Sequence, residues 1–228
     1  MAEVPVITVD GPGGTGKGTL CARLADWLGW HLLDSGALYR ALALAAHKAG
    51  VALDDEDALA ALAHELDVDF QRDGAALRVV LDGEAVSDRL RSEECGSAAS
   101  RIAALPAVRA ALVERQRAYR RPPGLIADGR DMGTVIFPGA PLKLFLTADP
   151  EERARRRYKQ LIEQGISVNL ERLSAEITER DGRDSRRAAS PLKPATDAIL
   201  LDTTELGIDE VTAQVAALVR DRFAHLPD

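Results

Sequence analysis

The stretch VDGPGGTGKGT, Val9 to Thr19, constrains this chain more than any other. A short apolar β-branched run, Val4 to Val9, leads into it. KGTLCARLADWLG leads out, with Leu20, Leu24 and Leu28 on one helical face and Gly29 placed to end the helix. Strand, glycine loop and helix in that order let backbone N–H groups curl around phosphate oxygens, while the helix N-terminus adds positive potential. The expected contacts run through Gly11, Pro12, Gly13, Gly14, Thr15, Gly16, Lys17, Gly18 and Thr19, with Lys17 reaching the β- and γ-phosphates of a nucleotide. One position departs from the common pattern of Gly, four residues, Gly, Lys, then Ser or Thr. Here Gly18 follows Lys17, and the hydroxyl arrives one place late at Thr19.

Further short apolar runs read as parallel strands: WHLLD ending at Asp34, GLIAD ending at Asp128, LKLFLT from Leu142 and AILLD ending at Asp202. Helical segments separate most of them, which predicts an α/β fold with a doubly wound, five-stranded parallel sheet. ADPEER supplies Asp149 as a helix cap, Pro150 as the first helical residue and Glu152 two places on. GIDEVTAQVAALV is apolar at helical spacing and is expected to pack on the sheet. One stretch breaks this rhythm. Val68 to Asp88 alternates and carries the turn signals Asp73-Gly74 and Asp82-Gly83, so a small antiparallel insert is expected there.

At 228 residues the chain suits one α/β domain with insertions, or two small domains. No apolar run is long enough to span a bilayer, and the first strand starts too early to leave room for a signal peptide, so a cytoplasmic protein is expected. Cys21 and Cys95 lack metal-ligand spacing, as do His47, His64 and His225. Trp30, His31, Cys21 and Met132 read as packing residues. A net charge of −7 with 4% aromatics argues against a nucleic-acid groove. The charge is uneven: residues 153–187 hold ten Lys/Arg against six Asp/Glu. Such a run fits either a solvated pair of helices or a basic lid over polyphosphate.

Three polar clusters follow strands or close helices, and arginines suit two-point contact with a second phosphate. LLDSGALYRALA places Ser35 and Arg40 after the second strand; Ser35 has a plainer alternative as the cap of a helix starting near Ala37. LIADGRDMGT places Asp128, Arg130 and Asp131 at a strand end. ERDGRDSRR packs Arg180, Asp184, Arg186 and Arg187 together.

With these clusters in view, the chain closely resembles the bacterial cytidylate kinases (CMP kinases), a branch of the P-loop nucleoside monophosphate kinases. DGPGGTGKGT, HLLDSGALYR, LIADGRDMGTVIFP and ERDGRDSRR carry the likeness, and it extends over nearly the whole chain. In that class the Gly18–Thr19 shift is normal, and magnesium is expected on the nucleotide's phosphates and water, with no direct side-chain ligand. The resemblance implies a three-layer P-loop fold with a helical lid. The core would be residues 1–38, 104–150 and 167–228, the CMP-binding domain with its small sheet 39–103, and the lid 151–166.

It also implies roles residue by residue. Arg40 and Arg130 hold the acceptor's phosphate, with Arg187 near it. Ser100, Arg109 and one or both of Asp128 and Asp131 read the cytosine, with Ser35 close by, and Arg180 and Asp184 meet the ribose hydroxyls. Lys17, Arg130, Arg153 and Arg157 supply catalytic charge, the last two chosen because they lie four apart on one helix face. Relatives often carry GPSGAGKG, so Gly13 here lacks a hydroxyl that makes a minor phosphate contact.

The expected reaction moves the γ-phosphoryl of ATP to CMP or dCMP, giving ADP and CDP or dCDP, with magnesium and no partner beyond these small molecules. A monomer is expected. Competing readings are a kinase of the same fold acting on UMP, AMP or shikimate, a non-catalytic nucleotide-binding regulator, and a nucleic-acid-dependent ATPase. A GTP switch needs Asn-Lys-x-Asp, and the only asparagine, Asn169, precedes Leu170.

Overall fold

The computed structural model describes residues 3–73, 76–163 and 165–223. Five parallel strands form the central sheet: β1 (Val6–Asp10), β2 (His31–Asp34), β6 (Leu125–Gly129), β7 (Leu142–Thr147) and β8 (Ile199–Asp202). Their spatial order is β2-β6-β1-β7-β8. All five are the runs picked out from the sequence.

Alternation along β1 explains the layering. Ile7 and Val9 face one side, where they join Leu20 and Leu24 of α1 (Lys17–Leu28) and Val211, Val215 and Val219 of α9 (Ile208–Arg222). Val6 faces the other side with Leu125, Ala127, Met132 and Ile136. Period-two alternation buried on both faces is what a sheet between two helical layers requires. Gly29 ends α1 in the left-handed conformation with its N–H on the Ala25 carbonyl.

Gly124, just before β6, lies where a Cβ would run into the Trp30 ring, which is 3% exposed. Gly124→Ala is therefore expected to destabilise the protein by about 2 kcal/mol through overpacking, measured by denaturant unfolding. An unchanged midpoint would show that the ring can move aside.

A second apolar core lies beside the sheet. Helices α2 (Ser35–Ala49), α3 (Glu56–Glu65), α5 (Glu93–Ile102) and α6 (Pro106–Arg117) contribute Leu38, Leu42, Leu59, Ile102 and Leu112 to one apolar cluster. The expected antiparallel insert covers it: β3 (Val68–Asp73), β4 (Ala76–Leu81) and β5 (Glu84–Ala85) in that order, followed by the short α4 (Ser87–Leu90). Asp82 and Gly83 both have positive φ, 52° and 77°, the pattern a tight Asp-Gly hairpin needs. The other expected turn, at Asp73-Gly74, falls on Gly74, outside the described residues.

Helices α7 (Pro150–Glu163) and α8 (Leu170–Arg186) pack on one another through Ala154, Leu161, Leu173 and Ile177. The basic run is thus a helix pair, with α7 starting at Pro150 as expected. Among the described residues, no helix is long and apolar enough to cross a membrane.

Candidate active site

The phosphate loop sits at the C-terminal end of β1, at the sheet's centre. Gly11, Gly14 and Gly16 have φ of 141°, 83° and 88°, open to glycine and strained for other residues. A Cβ at Gly11 would meet the Leu146 carbonyl, and one at Gly14 would lie 2.9 Å from the Arg153 backbone. Lys17 Nζ donates to the Pro12 carbonyl at 2.8 Å and Thr15 Oγ1 to the same oxygen at 3.1 Å, so the loop is closed on itself before any ligand arrives. Thr19 is exposed, one residue beyond this cradle.

Behind the loop lies a buried charge cluster. Burial and then the neighbouring Arg130 push the Lys17 ammonium below its ordinary value, while Asp128 opposes them. Asp128 is pushed up in turn, by burial first, with Lys17 pulling the other way and Asp34 adding repulsion. Its Oδ2 lies 3.6 Å from where a Gly18 Cβ would stand. Among the described residues no group of three or more His, Cys, Asp or Glu could hold a metal ion. Asp128 and Asp34 nonetheless offer hard oxygen donors beside the loop, which suits a magnesium ion carried on phosphates and met through water.

Asp10 is a participant that the sequence reading missed. Its two carboxylate oxygens accept from the backbone N–H groups of Met132 and Gly133, each at 2.8 Å. This fixes a π-helical turn, Met132–Ile136, directly after Arg130 and Asp131. Burial raises its pKa to about 6 despite those two donors.

A crevice opens between α2, α5, the β6 end and α8. It is lined by Ser35, Arg40, Ser100, Arg109, Arg130, Asp131, Arg180, Asp184 and Arg187, nine of the ten residues expected there. Asp128 is the tenth, and it sits with Lys17 and Gly18 instead of on the crevice wall. Arg109 and Asp131 form a direct ion pair, 6% and 3% exposed, with the Arg109 guanidinium 5.9 Å from the Tyr39 ring centre. Ser100 Oγ donates to Asp184 Oδ1 at 2.8 Å and Arg130 Nε to Asp184 Oδ2 at 3.0 Å. Burial alone would raise the Asp184 pKa, but Arg130 and Ser100 hold it below the usual carboxylate value.

The expectation for Ser35 as a cap needs correcting: Asp34 Oδ1 accepts from Ala37 N at 2.8 Å and caps α2. Ser35 is left free to donate to Gln116 Oε1 at 2.7 Å, a partner not foreseen. Arg40 points from α2 toward α5 and donates to the Ser92 carbonyl at 3.1 Å. Arg187 Nε donates to the Ser190 carbonyl. Several buried polar atoms lack any protein partner, among them the Tyr39 hydroxyl, Arg187 Nη2 and Arg180 Nε. Orphaned donors gathered along one crevice mark a place where a polar ligand belongs.

The two favoured lid arginines part company. Arg153, 4% exposed, donates to the Gly13 carbonyl at 3.1 Å and pairs with Asp181 at 2.5 Å, so it braces the phosphate loop. Arg157 pairs with Glu93 at 2.7 Å and donates to the Arg91 carbonyl, which ties it to the acceptor side. Arg156, between them, donates to the Thr203, Thr204 and Leu206 carbonyls and shapes the loop after β8.

A family model described as cytidylate kinase matches residues 7–221. The chain is 62% identical over 219 residues to a cytidylate kinase of Aeromonas hydrophila, covering 96% of this chain and 95% of that one. It is 57% identical over 223 residues to that of Klebsiella pneumoniae, covering 98% of each, and 59% identical to that of Stutzerimonas stutzeri, covering 97% and 98%. A family model over nearly the whole chain and relatives 57–62% identical along almost their full length place the chain in the cytidylate kinase family.

Proposed function

We propose that this chain transfers the γ-phosphoryl group of ATP to CMP or dCMP, giving ADP and CDP or dCDP. The observation that carries the reading is the Arg109–Asp131 pair buried in the same crevice as Arg130 and Arg40. Cytosine offers an amino donor beside ring acceptors, which match a carboxylate beside an arginine and the Ser100 hydroxyl. Uracil presents an acceptor to Asp131 and an N–H to Arg109, so both contacts are mismatched.

An oxygen of the acceptor's phosphate attacks the γ-phosphorus in line, and the bond to the β-phosphate oxygen breaks. That oxygen is already ionised at neutral pH, so no strong general base is required. The protein's contribution is alignment and charge. Lys17 bears on the β- and γ-phosphates and Arg130 on the acceptor phosphate and the transferring group. Arg40 and Arg187 hold the acceptor phosphate from its other sides, and Arg180 and Asp184 hold the ribose. Arg153 acts by fixing the loop through Gly13. Asp128 would help to hold a magnesium ion brought in with ATP, which would supply neutralising charge at the phosphates.

The same reading takes the protein as a cytoplasmic monomer with a core, an acceptor domain and a lid, where α6 joins the acceptor domain's apolar cluster and α8 packs on α7 of the lid. Calorimetric titration is expected to show CMP binding at least about tenfold more tightly than UMP. Equal affinities would contradict the base-reading roles of Arg109 and Asp131.

A further inference from the structure

Glu93 lies outside the four motifs that carry the resemblance, yet it stands between the lid and the acceptor side. It is the first residue of α5, after the cap Ser92, whose Oγ accepts from Cys95 N at 3.1 Å. One carboxylate oxygen meets Arg157 of α7 at 2.7 Å and the other meets Arg180 of α8 at 3.4 Å. These side chains are only 18%, 14% and 11% exposed, so the contacts are sheltered ones, unlike a solvated surface pair. The far end of Arg180 reaches the phosphate loop: a Cβ on Gly13 would lie 2.5 Å from its Nη2.

The same short turn is held from the acceptor crevice. Arg40 donates to the Ser92 carbonyl at 3.1 Å and to the Leu90 carbonyl, and Arg157 takes the Arg91 carbonyl between them. At the other end of α5, Ser100 lies in the crevice against Asp184. A ligand gripping Arg40 and Ser100 therefore sets the position of α5, and through Glu93 the position of both arginines.

We propose that Glu93 is a positioning residue that ties the lid to the acceptor domain, so that Arg157 and Arg180 reach their working places only when the acceptor site is closed. The proposal rests on the proposed function, with Arg180 on the acceptor's ribose and Arg157 supplying catalytic charge from the lid as the family resemblance implies. Gly13 belongs to the same device, because the absent side chain is what lets Arg180 lie against the loop. The tie makes transfer to the acceptor faster than the wasteful reaction. In that reaction water attacks the γ-phosphorus, the bond to the β-phosphate oxygen breaks, and ADP, inorganic phosphate and a proton are released.

The experiment compares wild type, Glu93→Gln, Glu93→Asp, Gly13→Ala and the Glu93→Gln/Gly13→Ala double variant. It measures kcat, KM for CMP, and ATP hydrolysis without acceptor. Glu93→Gln keeps the shape and loses the charge. Its kcat for transfer is expected to fall about tenfold, with KM for CMP rising no more than about threefold because Asp184 keeps its hold on the ribose, and the ratio of transfer to hydrolysis falls with kcat. Glu93→Asp recovers part of the loss. Gly13→Ala displaces only the flexible tip of Arg180 and should give a similar loss. Because both changes act on one guanidinium, the double variant costs no more than the worse single.

A Glu93→Gln enzyme with wild-type kcat and wild-type ratio overturns the proposal, and so do losses that multiply in the double variant. Should Glu93→Gln fail to fold, an unchanged ratio in Gly13→Ala overturns it alone. Arg157→Ala and Arg180→Ala separate the levels of the argument. Wild-type turnover in both removes the roles given to the arginines, whereas loss there with none in Glu93→Gln removes only the tie.

Discussion

Lys17→Ala is expected to leave a folded protein whose kcat with ATP and CMP is about 10³-fold lower, the scale of removing one fixed charge from a phosphoryl-transfer site. The cause is the ammonium's setting. It is buried at the floor of the loop, held on the Pro12 carbonyl, and shielded from water that could otherwise dilute its field. Burial and Arg130 also lower its pKa from the ordinary 10.5. As pH rises through that lowered value the free enzyme loses the charge. The alkaline limb of kcat/KM for ATP should therefore begin well below pH 10.5, and that of kcat, which reports the ATP complex, should lie at higher pH because phosphate favours the protonated form. Steady-state rates of wild type and variant from pH 6 to pH 10 test both points. A variant within tenfold of wild type would mean that Lys17 serves the loop's shape and not the reaction.

Asp131→Ala has the second largest expected effect, about 10²-fold in kcat/KM for CMP, with a smaller loss for UMP. Two losses add. The carboxylate proposed to meet the cytosine amino group is gone, and Arg109, 6% exposed, is left buried without its carboxylate partner. Asp128→Ala serves as the contrast, because Asp128 sits beside Lys17 and Gly18. It is expected to impair turnover with CMP and UMP alike. If Asp128→Ala narrowed the CMP preference and Asp131→Ala did not, the two aspartates would have to exchange roles.

The sheet was readable because each of its strands is a short apolar run bounded by turn residues, and the alternation of Val6, Ile7 and Val9 is carried within five residues of β1. The phosphate loop and the Asp82-Gly83 hairpin were readable for the same reason: their geometry is set by adjacent residues, through positive φ. Nine of the ten residues that motifs and resemblance assign to an acceptor site line one crevice.

What stayed hidden depends on contacts between distant segments. Asp10 caps backbone groups at Met132 and Gly133, more than 120 residues on. Ser35 finds Gln116 across 81 residues, and Arg157 finds Glu93 across 64. No local periodicity encodes such pairs. Helix-face spacing put Arg153 and Arg157 together, but a shared face says nothing about what stands opposite each residue. Arg153 faces the phosphate loop, whereas Arg157, one turn further on, faces α5. For α2, Asp34 and Ser35 were both chemically able to cap, and the choice went to Asp34 because Ser35 is already buried against α6.

The most direct measurement is ADP formation from ATP and magnesium with CMP, dCMP, UMP, AMP, shikimate or no acceptor. Strong turnover with CMP and dCMP, weak turnover with UMP and almost none in the other three is the expected result. Comparable rates with UMP or AMP, or ADP formation that ignores the acceptor, would contradict a crevice built to read cytosine.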